Sequence, residues 1–188
     1  MKLKTHNLFS IGVLTAIGSL FINPADSLIS AGILSITGNT IIDSFGHKMK
    51  VIRLPNNKKI KKPIRTYKTH SSLRALIYGF LPAIALFFLA VYLIHMTSIP
   101  YRFYKFIPRY APYWVLLQGL FVGELHLLMD IITEGGIFVK KDGKFGRFAL
   151  AHIKYDDIFW NTLFQIVGIA FIILTFYHFG GFHGFNYR

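Results

Sequence analysis

Residues 123–136 read GELHLLMDIITEGG, and they close an apolar run that begins PYWVLLQGLFV. His126 and Asp130 are four residues apart, so on a helix they share one face, and an imidazole and a carboxylate there can grip the same cation. Thr133 and Glu134 carry that face past the end of the run. Glu124 is offset by two residues, points elsewhere, and has no partner in this scheme. Further along the chain lie His6, the pair Asp43 and His47, with Asn39 one turn before Asp43, and His70 in a Thr69-His70-Ser71 triplet. Imidazole and carboxylate together form a donor set for Zn²⁺ or a similar divalent ion, and six such ligands suffice for two ions. Glu134, set near an activated water, has the chemistry of a general base.

These residues need elements that bring them together. The chain is 53% hydrophobic and 15% charged over 188 residues, well short of the roughly one quarter charged in soluble domains. Its apolar residues cluster in runs at 7–23, 27–42, 73–95, 113–132 and 158–178. The last three approach or exceed the ~20 residues that a spanning helix needs. The first two are shorter and hold Gly, Ser and Thr, which lets membrane helices approach closely. The expected fold is an all-α polytopic membrane bundle of about five spans in one domain. A signal peptide competes for residues 7–22, but no A-x-A cleavage site follows. Cysteine is absent, which excludes disulfides and thiolate metal sites.

Charge orients the bundle. With the N-terminus inside, 17 Lys and Arg face the cytoplasm, ten of them in the 47–74 loop, against four outside. The positive-inside rule then puts the protein in the cell membrane with a cytoplasmic N-terminus and an external C-terminus. In that frame His6, Asp43, His47, His70, His126 and Asp130 all fall near the cytoplasmic rim, and a bound cation would offset the cost of His126 and Asp130 in a low dielectric.

Each of these residues alone has a plainer role. A lone His at a helix end snorkels to the interface, as His95 and His152 are expected to do, and Asp43 is then a solvated loop residue. The basic loop at 47–72 attracts anionic lipid headgroups and carries no nucleic-acid motif. The aromatic segment TSIPYRFYKFIPRYAPYW reads as an interfacial belt, as does HFGGFHGFNYR, whose His178 and His183 are weak ligand candidates. Residues 135–150 read as a β-hairpin around Asp142-Gly143, either a lid whose Lys140, Lys141, Lys144 and Arg147 hold an anionic substrate or a solvated loop. Two non-enzymatic roles stay open: a transporter or channel lined by the intramembrane polar groups, and an adaptor acting through the 47–74 loop.

THNLFSIG, RTYKTHSS and HLLMDIITEGGIFV followed by FGRFAL together resemble the YdjM-type membrane-bound metal-dependent hydrolases. The chain is also similar to a group of small archaeal membrane proteins that look like a divergent branch. The resemblance implies metal ligation by His6, Asp43, His47, His70, His126 and Asp130. Thr69, Ser71, Thr133 and Gly136 complete its motifs. It departs at IIDSFGH, where three residues separate Asp43 from His47 and the compact Asp-x-Asp-His of that family is lacking, with Asn39 the candidate replacement for the missing carboxylate. The implied activity is hydrolysis of a phosphoester or lipid-related substrate.

Overall fold

A computed structural model describes residues 1–53, 58–96 and 111–179. The aromatic segment at 97–110, the C-terminal 180–188 with His183, and the side chain of His95 lie outside the described residues. The order is α1 (Leu3–Gly18), α2 (Pro24–Gly46), β1 (His47–Arg53), β2 (Lys59–Arg65), α3 (Ser72–Met96), α4 (Ala111–Ile131), β3 (Ile137–Lys141), β4 (Lys144–Phe148) and α5 (Ile158–His178). Among the described residues, five helices form the bundle and two antiparallel hairpins sit beside it. Within α2, α3, α4 and α5 the helical stretches Pro24–Gly46, Ser72–Tyr92, Pro112–Ile131 and Ile158–His178 are long and apolar enough to cross a membrane.

Local chemistry sets the boundaries. Asn23 caps α2, its side-chain oxygen accepting from Ala25 N at 2.8 Å, with Pro24 in the first turn, where a missing N–H costs nothing. Asp157 caps α5 by accepting from Trp160 N at 3.1 Å. Asp142 and Gly143 both take positive φ, 49° and 78°, as a two-residue type I′ turn requires, so the hairpin expected at 135–150 forms. A second hairpin, with His47 paired to Arg65 and Arg53 to Lys59, occupies the stretch that reads in sequence as a basic loop. Polar and apolar residues alternate over only Lys48–Val51 in the first strand, and Lys61, Lys62 and Pro63 break the pattern in the second, so periodicity marks it only faintly.

The bundle buries polar groups beside an apolar core of Leu14, Ala31, Leu34, Ala83 and Val122, and its outside is apolar. Phe88, Tyr92, Ile158, Phe159, Ile166 and Leu174 are exposed, while Thr5, His6, Ser10, Asn39, Gln118, His126 and Asp130 are buried. That arrangement suits a lipid surround, where backbone and polar groups must be satisfied internally. Small residues bring the helices together. A Cβ on Gly123 would fall on the Ala75 carbonyl of α3, and one on Gly12 would strike the backbone of Gly168 in α5. Gly123→Leu is expected to cost about 1–3 kcal/mol through overpacking, measurable as a lower thermal midpoint in detergent; an unchanged midpoint would show that α3 and α4 can part freely.

α1, α3 and α5 leave the end of the bundle at which α2 and α4 arrive. Asn161, in the first turn of α5, accepts from Lys2 N at 3.0 Å and from Thr5 Oγ1 at 2.7 Å, and Gln165 Nε2 donates to the same hydroxyl at 2.8 Å. α1 is thereby pinned one residue before His6.

Candidate metal centre

Asp130 lies at the last turn of α4, fully buried, and its two oxygens have different surroundings. Arg65, the last residue of β2, donates from Nη2 to Oδ1 at 2.6 Å and from Nη1 to Thr133 Oγ1 at 2.9 Å. His6 Nε2 is 3.2 Å from the same Oδ1, and the chain's amino-terminal nitrogen 3.4 Å. Oδ2 has no hydrogen-bond partner among the described residues, yet His70 Nε2 and His126 Nε2 each approach it at 3.4 Å. Asp43, in the last turn of α2, brings Oδ1 to 3.5 Å from His126 Nε2 and 3.7 Å from His70 Nε2. Two groups result, His6/His126/Asp130 and Asp43/His70/His126, with ligand atoms in each within 4.8 Å of one another.

Hydrogen bonds behind the rings decide what those nitrogens can do. Asn39 Nδ2 donates to Asn7 Oδ1 at 3.0 Å, which turns the Asn39 oxygen toward His126 Nδ1, also at 3.0 Å. A carbonyl oxygen can only accept, so Nδ1 carries the proton of His126. The Thr69 hydroxyl donates to the Ile42 carbonyl at 2.8 Å and thus accepts from His70 Nδ1 at 2.9 Å. In its neutral form each ring then turns an Nε2 lone pair toward carboxylates. Lone pairs opposed to carboxylate oxygens repel unless a cation lies between them, and this donor set fits a divalent metal. His126 has one Nε2 lone pair and belongs to both groups, so the two groups describe one shared centre. The 13° stacking of the His6 and His126 rings at 4.1 Å adds to its compactness.

Of the residues singled out in sequence, His6, Asp43, His70, His126 and Asp130 converge. His47 stands at the edge. Its Nδ1 lies 2.7 Å from the Asp43 carbonyl oxygen and therefore donates to it, and His47 belongs to neither group. Asn39 orients His126 and so does not replace a missing carboxylate. Glu124 is not the unpartnered group that the spacing suggests: Ser72 Oγ donates to its Oε1 at 2.8 Å, at the half-buried edge of α4. Glu134 is exposed. Together with Asp43, His47, Arg65, Arg147 and Phe138 it lines a cavity of about 720 Å³ beside the centre.

Sequence reasoning missed Arg65, which is one of ten cations in its stretch with nothing to distinguish it. It also missed Asn161 and Gln165, although two amides four apart in the apolar run IFWNTLFQ are a usable signal, because polar groups in a span rarely lack a partner. The β3–β4 hairpin packs on the same region. Phe138 N donates to the His70 carbonyl at 2.7 Å, the Tyr67 and Phe145 rings stack at 4.9 Å, and Arg74 lies over both.

Burial holds the His70 ring below its ordinary imidazole range, against the opposing pull of Asp43. A His whose folded-state value is lowered contributes full stability above its unfolded value of about 6.5, and loses it as pH falls toward the folded value. The contribution of His70 to stability should be flat above pH about 6.5 and decline below it. Thermal midpoints at stepped pH, with and without added Zn²⁺, measure this; a midpoint rising on acidification would contradict it.

Comparison with known proteins finds no similar curated protein and no similar solved structure. A family model does match, over residues 1–129, a range that takes in His6, Asp43, His47, His70 and His126 and stops one residue short of Asp130. The chain belongs to that family, described as a protein of unknown function (DUF1286).

Proposed function

We propose that this is a membrane-embedded metal-dependent hydrolase, with one divalent-metal centre at the cytoplasmic face of the cell membrane and a phosphoester or lipid-related substrate. The observation that carries the reading is the pair of Nδ1-protonated histidines, His70 and His126, aiming lone pairs at Asp43 and Asp130. His6 completes the donor set. Zn²⁺ suits three imidazoles and two carboxylates. Bound there, such an ion would polarise a substrate oxygen and acidify water.

The chain's own residues supply the rest. Arg65 holds Asp130 so that Oδ2 faces the histidines. Glu134, on the rim of the cavity, takes a proton from the attacking water, and Arg147 of β4, which also lines the cavity, meets the negative charge of the substrate. The resemblance to the YdjM-type hydrolases supports these five ligands among its six, and the excess of Lys and Arg at this end of the bundle supports its cytoplasmic placement and contact with anionic headgroups.

Protein purified without a polyhistidine tag should carry about one equivalent of Zn²⁺ and hydrolyse an aryl phosphodiester until a chelator strips the metal. Glu134→Gln should keep its metal and lose about 100-fold or more in turnover. Undiminished hydrolysis by chelated protein would end the proposal.

A further inference from the structure

The ligand residues of the centre are not equally shut off from water. The side chains of His6, His70, His126 and Asp130 are at most 1% exposed, whereas that of Asp43 is 23% exposed. Among these ligands Asp43 alone therefore connects the buried centre with solvent. It does so at the cavity of about 720 Å³, which Asp43 and His47 both line.

His47 follows the last residue of α2, and its side chain is 28% exposed. Its Nδ1 donates to the Asp43 carbonyl oxygen at 2.7 Å and lies 3.7 Å from Asp43 Oδ1. In the neutral form the ring then keeps a lone pair on Nε2, and that atom has no partner among the described residues. Capping of α2 does not explain the ring, because the His47 backbone N–H already bonds the same carbonyl. On its inner side the His47 ring meets the His70 ring edge-on, with centroids 5.2 Å apart. Asp43 Oδ1 stands beyond, 3.7 Å from His70 Nε2 and 3.5 Å from His126 Nε2. A donor on the water side, a carboxylate, and two donors on the buried side thus stand in sequence.

Charge alone does not draw a cation along this route. Arg65 is spent on Asp130, which leaves the Lys2 and Arg147 side chains against Asp43 and Glu134 in the cavity wall. A lining so balanced gives little steering. A neutral imidazole binds a divalent ion through its lone pair and needs no net charge to do so.

We propose that His47 is the loading residue of the metal centre: it takes a divalent cation from the cavity through Nε2 and passes it to Asp43, and it is not a ligand of the seated ion. This role rests on the metal centre described above and not on hydrolysis. A group that holds the ion only in transit changes the rates of entry and exit by the same factor and leaves the equilibrium unaltered.

Co²⁺, which stands in for Zn²⁺ and absorbs visible light when ligated, serves as the probe. Metal-free protein in lipid nanodiscs is mixed with Co²⁺ at fixed pH, and loaded protein is mixed with excess EDTA. Wild-type protein should take up about one equivalent. In His47→Asn, whose amide N–H₂ can keep the bond to the Asp43 carbonyl, loading and release should both slow several-fold while the Kd and the absorption spectrum stay as in wild type. His47→Gln repeats the measurement if His47→Asn fails to fold. A weakened Kd with unchanged loading, or an altered spectrum of the seated ion, would make His47 a resident ligand and overturn the proposal. Unchanged rates in both variants would overturn it equally. Wild-type protein that takes up no Co²⁺ would instead remove the metal centre itself, and the loading role with it.

Discussion

His126→Ala protein, purified without a tag, is expected to contain no stoichiometric metal, and its affinity for added Zn²⁺ should fall by more than the roughly 10–100-fold typical of an outer-shell change. His126 is the one residue common to both ligand groups, and its Nε2 lies 3.4 Å from Asp130 and 3.5 Å from Asp43. Removing it takes away a donor and leaves two buried carboxylates with less between them. Asp130→Asn is the sharper partner variant because it keeps the volume and removes the charge. An Asn there still accepts from Arg65 through its oxygen, yet it presents an amide N–H₂ where Oδ2 met His70 and His126. Elemental analysis of both variants beside wild type decides the matter. Wild-type metal content in either one would show that the cluster is a buried hydrogen-bonded network and not a metal centre.

Arg65→Met should behave differently with and without metal. Arg65 is the strongest partner of a fully buried carboxylate, at 2.6 Å, and removing one partner of a buried pair costs about 3–5 kcal/mol. The lower end applies here, since the Arg65 side chain keeps some contact with water. A cation at the centre supplies positive charge to the same carboxylate and stabilises the folded state by mass action. The gap between chelated and Zn²⁺-loaded thermal midpoints should therefore be wider in Arg65→Met than in wild type. Equal destabilisation in both states would mean that Arg65 holds β2 to Thr133 and does nothing for Asp130.

Arg65 also shows where sequence reading stops. His126 and Asp130 can be paired from their four-residue spacing because both lie on one helix, and helical periodicity survives any tertiary arrangement. The nearness of His6, Asp43 and His70 follows almost as directly, since antiparallel spans return to the same face and each residue stands at a span's end. Arg65 obeys no such rule. It reaches Asp130 only because β1 and β2 pair from His47–Arg65 outward and fold the basic stretch back over the bundle end. The same hairpin places His47 at the rim, where its Nδ1 is taken by the Asp43 carbonyl.

Composition and run length alone determined that this chain is a helical bundle with lipid-facing surfaces. Spacing and charge asymmetry alone gathered all six expected ligands at one end, and the structure brings five of them into the ligand groups. These properties are additive along the chain, so they can be summed residue by residue. Which ring nitrogen faces the centre, which carboxylate oxygen is left open, and which of ten basic residues closes on Asp130 were decided by the tertiary structure. Each depends on a partner from another element: Asn39 and Asn7 behind His126, Thr69 and the Ile42 carbonyl behind His70, and Thr133 beside Arg65. Hydrogen-bond direction is a property of pairs, and the pairs exist only once the helices have packed.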